Sequence, residues 1–317
     1  MSLPVKKIYI DSRYRTSDSL STSSFKFPLA RTLYFPKNTV FYIEDVCIPH
    51  TWYTIEAGFN DRLYMRYRLN ALSETQESNG TDNLFNAVNG MGTHPYVDMN
   101  GWIDVYFTLT AGIYNAATFA SELQARFIQY GLLSYFVIGS NALNNTISIL
   151  PTGVNVYFFL PTDKDLITKL NHTWNSTDYK YNADNLCSCN EVLNNHGFTS
   201  LMYSNPGLTI YPMYTSNFLS LGLVRNIYIS SPNLGSFSTL GARGEANILK
   251  KVPVTSSFGS MIIDSFTSNH DFLDCSDQCL STLEFNIRDV QGNIIPLHGS
   301  NVSFSIVFAT HSEDGFK

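Results

Sequence analysis

One stretch limits what this chain can fold into: Thr39 to Asn60, TVFYIEDVCIPHTWYTIEAGFN. Val40, Phe41, Tyr42, Ile43, Val46 and Ile48 form a β-branched and aromatic run broken only by Glu44 and Asp45, too continuous for a strand with one wet face. It reads as a central strand buried on both sides. Pro49 then withdraws a backbone donor and ends ladder pairing, and Trp52, Tyr53 and Ile55 re-anchor the chain beyond that corner.

A central strand needs neighbours, and the composition supplies them. Aromatics make up 14 % of the 317 residues and charged residues only 15 %, with Ser, Thr and Asn crowded between the apolar runs, as a β-sandwich requires. Arg62 to Leu69 alternates Leu63, Met65, Tyr67 and Leu69 against Arg62, Tyr64, Arg66 and Arg68, a strand with one wet face. Further strands are expected at Trp102–Leu109, Tyr135–Ile138, Thr146–Leu150 and Val154–Leu160. Others follow near Leu208–Tyr211 and at Asn226–Ser230, Ser257–Phe266, Leu283–Arg288, Ile294–Leu297 and Val302–Ala309, with Asp289–Asn293 as a hairpin turn. One amphipathic helix interrupts them: Asn115 is its N-cap, Phe119, Leu123, Phe127 and Tyr130 recur at helical spacing, and Gly131 stops it.

Two regions have a different texture. Residues 1–29 carry a Ser/Thr/Asp tract with little apolar content, so they are expected to be an extended basic arm that gains order only against a neighbour. To Arg31 this end holds Lys6, Lys7, Arg13, Arg15, Lys26 and Arg31 against Asp11 and Asp18, a charge of +4 where the whole chain is −6. Residues 161–207 are rich in Asn, Asp and Thr, hold Trp174 and the Cys187/Cys189 pair, and read as an outward-facing insertion; the polar stretch 71–100 reads as a long loop. The body is then 30–160 with 208–317.

Little in the sequence points to catalysis. There is no G-x-G-x-x-G, no phosphate-cradling G-x-x-x-x-G-K-[ST], no H-E-x-x-H and no G-x-S-x-G. Cys187/Cys189 and Cys275/Cys279 lack the usual C-x-x-C spacing, so ordinary thiols are expected in place of a zinc site, and five cysteines in a long chain argue for a reduced state. Asp271, Asp274 and Asp277 do not have calcium-loop spacing. No cofactor, catalytic residue or metal ligand is expected. No apolar stretch is long enough to span a bilayer and no hydrophobic signal core opens the chain, so a cytosolic product with unused Asn-X-Ser/Thr sites is expected. The cations of the arm would give at most weak, salt-sensitive and sequence-blind contact with a genome.

Several motifs occur in an order that resembles a known family. These are IDSRYRT at Ile10–Thr16, IPHTWY at Ile48–Tyr53, GIYNAATFASELQ at Gly112–Gln124, SNFLSLGL at Ser216–Leu223, IYISSPNL at Ile227–Leu234, NILKKVPV at Asn247–Val254 and FNIRDVQG at Phe285–Gly292. Together they are similar to the penton (vertex) and minor capsid proteins of the polinton, virophage and giant-virus lineage of icosahedral double-stranded DNA viruses. The resemblance implies an all-β fold, a single jelly-roll sandwich of two antiparallel sheets. It also implies a homopentamer at the vertices of a virion assembled in host cytoplasm or nucleus, with the major capsid protein and other minor capsid proteins as partners and a host receptor or fibre as a further one.

On that reading Lys6, Lys7, Arg13, Arg15, Phe25 and Phe27 of the arm would touch neighbouring capsomers, and Pro49, Trp52 and Tyr53 would lie near a subunit contact. The alternative is a virion-surface or spike β-sandwich that binds a receptor or glycan, with Trp174, Tyr179 and Tyr181 as its external platform. An enzyme of the cupin type would need clustered His and carboxylate ligands on facing strands, a pattern the sequence does not show.

Overall fold

The computed structural model describes residues 5–68, 96–97, 103–152, 156–160, 202–203, 214–216, 218–219, 224–234, 239–241, 244, 247–266 and 271–310. In chain order the strands are β1 (Val5–Asp11), β2 (Ser24–Tyr34), β3 (Thr39–Pro49), β4 (Arg62–Arg68), β5 (Tyr96–Val97), β6 (Ile103–Thr108), β7 (Phe136–Asn141), β8 (Thr146–Pro151) and β9 (Tyr157–Phe159). They continue with β10 (Met202–Tyr203), β11 (Tyr214–Thr215), β12 (Asn226–Ser230), β13 (Ile248–Pro253), β14 (Met261–Asp264), β15 (Leu273–Asp274), β16 (Cys279–Arg288) and β17 (Ser303–Thr310). Helix α1 (Ala116–Gln129) lies between β6 and β7.

The chain forms two compact units: Met1–Trp52 with Val224–Lys317, and Tyr53–Leu223. These divisions differ from the boundaries expected at residues 29, 160 and 207. The first unit holds two antiparallel sheets, ordered β1-β17-β3-β14 and β13-β12-β16-β2, with short β15 also paired to β3. Among the described residues its eight main strands, numbered along the chain, fall in the orders 1-8-3-6 and 5-4-7-2. That is the strand order of a jelly roll, with the second unit inserted between its third and fourth strands. The expected all-β jelly roll is thus present, and two separate stretches of the chain supply its strands.

Its core is aromatic and spans both sheets. Phe304 of β17 meets Phe285 of β16 edge to face at 4.9 Å, Phe25 of β2 lies 5.6 Å from Phe285, and Phe35 stacks on Phe308 at 4.6 Å. Ile10, Phe41, Ile43, Val46, Ile48, Ile227, Ile229 and Ile287 complete it.

The run that dominates the sequence is explained by a β-bulge. Along β3 the buried residues are Thr39, Phe41 and Ile43, then Val46 and Ile48, so the parity of the buried face changes between them. The register against β17 shifts at that point: Ser305 pairs with Asp45 while Ile306 pairs with Ile43, which leaves Glu44 as the extra residue. The strand is central in its sheet, as expected, but it has one core face whose phase changes once. The Glu44–Asp45 interruption marks that change.

The stretch expected as an arm belongs to this sandwich. β1 pairs with β17 from Val5↔Ala309 to Asp11↔Ser303, and β2 pairs with β16 from Ser24↔Asn286 to Tyr34↔Cys279. The Ser/Thr tract between them satisfies its own backbone. Ser21 Oγ accepts from the Ser23 and Ser24 amides, Ser19 Oγ accepts from the Lys26 amide, and the buried Ser23 hydroxyl donates to the Ile295 carbonyl at 2.6 Å. A low apolar content therefore reflects edge strands joined by a hydrogen-bonded turn. The Asp289–Asn293 turn is present, with Gly292 at φ +85°, but beyond it Ile294 makes only a single bridge to Arg288.

The second unit has sheets ordered β10-β9-β4-β6-β5 and β11-β8-β7, with α1 packed on β7 and β8. Tyr64 of β4, expected on a wet face, is buried beside Leu63, Met65 and Tyr67. The helix is placed as its sequence dictates. Asn115 Oδ1 accepts from the Thr118 amide and Thr118 Oγ1 accepts from the Asn115 amide, both at 2.9 Å, a reciprocal capping box. Phe119, Leu123 and Phe127 are fully buried, and the Gly131 and Leu132 amides close the C-terminus on the Ile128 and Phe127 carbonyls, with Gly131 at φ +69°. Tyr130 is the C-cap, its ring edge-on to Phe107 at 5.0 Å. Asn115→Ala is expected to lower the urea-unfolding free energy of this unit by about 1 kcal/mol, read from the midpoint at unchanged slope.

Candidate assembly surface

The basic residues singled out in the sequence sit along one margin of the jelly roll. β1 is the terminal strand of its sheet, so among the described residues its outer edge has no strand partner. Lys6 on this strand and Arg13 and Arg15 just beyond it are exposed, together with Tyr9 (72 %) and Tyr14 (69 %). Much of the charge is held within the chain. Lys7 pairs with Glu44, Arg13 with Asp11, and Lys26 with Asp18, whose carboxyl is held down at about 2 chiefly by the lysine. Glu44, pushed outward by the bulge, thus receives Lys7 from β1 across β17. Three of the six cations of this end are therefore matched by carboxylates, which leaves a surface suited to specific docking more than to diffuse phosphate neutralisation.

The other predicted contacts divide. Phe25 is 2 % exposed and belongs to the core, and Phe27 is partly buried against it, so their rings are used inside the chain. Trp52, at 5 % exposure, is also core. Its neighbour His50 stacks on it at 4.2 Å and is fixed by the 256–260 turn: His50 Nδ1 lies 2.8 Å from the Ser256 carbonyl, and the His50 amide donates to the Ser260 carbonyl. Thr51 Oγ1 donates to the Leu297 carbonyl. The corner after Pro49 is tied down by the chain itself, while Pro49 and Tyr53 remain half-buried. Trp174, Tyr179 and Tyr181 lie outside the described residues, as does the expected insertion 161–207 apart from Met202–Tyr203.

Sequence reasoning passed over the opposite margin of the same sheet. β14 and β15 both lie along the edge of β3 away from β17, and around them Phe258, Met261, Ile263 (68 % exposed), Phe266 (76 % exposed) and Phe272 reach solvent. The signal was available: Met-Ile-Ile at 261–263 is apolar at every position, whereas a strand of this sheet needs only Ile262 inside.

No group of three or more His, Cys, Asp or Glu side chains among the described residues could hold a metal ion, and no described helix is long and apolar enough to cross a membrane. A hollow lined by Tyr228, Ser230, Asn247, Arg288 and Asp289 measures about 20 Å³, room for a water molecule. The Cys275 thiol is buried, donates to the Thr39 carbonyl, and is pushed up to about 12 by burial, whereas Cys279 is exposed. Brief alkylation at pH 8 followed by peptide mapping should label Cys279 and leave Cys275 unmodified until the chain unfolds.

The chain is similar to the crystal structure of the selenomethionine-labelled mavirus penton protein, with a TM-score of 0.44 and 11 % sequence identity over 96 % of this chain and 100 % of that one. No protein-family model and no curated protein sequence matches it.

Proposed function

We propose that this protein is a structural subunit of an icosahedral virus particle, forming the pentameric capsomer at the fivefold vertices. The observation that carries this reading is the 1-8-3-6 and 5-4-7-2 strand order of the first unit, a jelly roll whose chain is interrupted by a second compact unit. Such a fold turns its apolar faces inward and leaves two sheet margins for contact with other subunits. The ordered set of capsid-like motifs supports the same reading, because IPHTWY forms the corner after β3, NILKKVPV becomes β13 and FNIRDVQG closes β16.

In this account Lys6, Lys7, Arg13 and Arg15 present the β1 margin to neighbouring subunits, and the major capsid protein surrounds the ring. Five copies around a closed axis use one heterologous interface repeated, so each copy offers two different surfaces. The test is to locate the chain in purified particles by reconstruction without imposed symmetry. Density for this fold at the fivefold axes is the expected result, and copies confined to the facets or to protruding spikes would overturn the reading.

A further inference from the structure

Resting on the ring assembly proposed above, we infer that subunits join edge to edge: the β14–β15 margin of one copy docks on the β1 margin of the next, continuing a single antiparallel sheet. Three observations on the same sheet support this. Both end strands, β1 and β14, have an open outer edge among the described residues. β14 runs antiparallel to β3, and β1, two antiparallel steps from β3 through β17, runs parallel to it. A β14 edge set beside the next copy's β1 therefore keeps the antiparallel alternation without turning either subunit over.

The margins also match chemically. The β14–β15 side exposes Ile263, Phe266 and Phe272, with the Phe272 ring edge-on to Tyr42 at 5.1 Å, and carries exposed Asp274 and Asp277. The β1 side exposes Tyr9 and Tyr14 and carries Lys6 and Arg15. Apolar surface would cover apolar surface, and at equal height along the strands Lys6, level with Phe41, would face Asp274, which lies beside Val40. An open, apolar strand edge is an aggregation hazard unless something covers it, and a second copy of this chain supplies a cover of the right charge and strand direction. The interface is heterologous, so it closes into a ring whenever each step adds a fixed rotation.

Charge reversal tests this on the full chain. One variant carries Lys6→Glu, a second carries Asp274→Lys, and a third combines both; Ile263→Asp probes the apolar centre. All of these side chains reach solvent in the single chain, so urea midpoints and near-ultraviolet circular dichroism should stay at wild-type values. Sedimentation and native mass spectrometry should show rings for the wild type and the combined Lys6→Glu/Asp274→Lys variant. Lys6→Glu, Asp274→Lys and Ile263→Asp, each alone, should associate about a hundredfold more weakly, the scale of like charges or a buried carboxylate brought into a contact.

An equal mixture of Lys6→Glu and Asp274→Lys chains allows contacts only between unlike chains. It should give even-numbered oligomers and no fivefold ring. Rings that persist in every variant would overturn the edge-to-edge contact while leaving the pentamer standing. A wild-type chain that stays monomeric with the major capsid protein present would overturn both.

Discussion

Removal of residues 1–29 should abolish folding of the jelly-roll unit. The deletion takes away β1 and the first half of β2, one terminal strand from each sheet. It strips Ile10 and Phe25 from the core, each contributing about 1.5–3 kcal/mol of burial, and exposes the partners they cover on β17 and β16. It also removes the Ser12 hydroxyl that accepts from the Val302 amide and the Ser23 hydroxyl that donates to the Ile295 carbonyl, and it leaves β17 with a bare ladder edge. Set against a typical domain stability of about 5–15 kcal/mol, the two burial terms reach about 3–6 kcal/mol, and the lost β17 and β16 pairings bring the deficit to the size of the whole. Trp52 reports the outcome, because the other two tryptophans of the chain, Trp102 and Trp174, fall within the 53–223 unit and can be replaced by Phe. The truncated chain should show red-shifted Trp52 emission and no cooperative transition for this unit. Wild-type emission with an unchanged urea midpoint would mean that the segment is a dispensable arm.

Lys250→Ala should destabilise the same unit by about 3 kcal/mol, the range found when one partner of a buried ion pair is removed. Lys250 lies on β13, yet its ammonium donates to the Ile43 carbonyl of β3 at 3.2 Å and to the Phe266 carbonyl at 2.9 Å, and it pairs with Asp264 at 3.4 Å. Its side chain is only 10 % exposed and that of Asp264 only 17 %. The bulge at Glu44 interrupts the β3 ladder beside Ile43, and Lys250 supplies a donor there from the other sheet. Alanine removes that donor and leaves the Asp264 carboxylate largely buried without its cation. Lys250→Met keeps the packing of the stem but has the same polar deficit, so it should recover only part of the loss. Urea titrations of the three proteins measure it, and a change below about 0.5 kcal/mol for Lys250→Ala, the size of an ordinary surface substitution, would remove Lys250 from this role.

What the sequence disclosed depended on how local the determining interactions were. Helix α1 was legible to the residue because its cap, stripe and stop all lie within 17 positions, from Asn115 to Gly131, and each acts through neighbours along the chain. β12 and β16 were legible from their alternation and β17 from its apolar run. β1 and β2 were misjudged because a terminal strand can be polar: β1 needs only Ile8 and Ile10 on its inner face and draws its order from β17, almost 300 residues away. The β3 run invited a reading of two buried faces because a bulge shifts the phase of one. The division into units could not be read from composition, since no linker-like stretch marks Trp52/Tyr53 or Leu223/Val224.

The candidate surface was half legible. Lys6, Arg13 and Arg15 stood out as a charge asymmetry and are exposed at the β1 margin, whereas Phe25, Phe27 and Trp52 were chosen for aromaticity and prove to be held by the core. Aromatic residues on strands carry the same sequence signature whether they face inward or outward. Only the register of β14 against β3, with Ile262 inside and Met261 and Ile263 outside, separates the two.

Native mass spectrometry of the purified chain, alone and with the major capsid protein, tests the central claim most directly. The account predicts a closed species of five times the 35.6 kDa chain mass, with no open series of higher multiples. A chain found only as monomer under both conditions, or as trimers of the kind a spike would form, would contradict it.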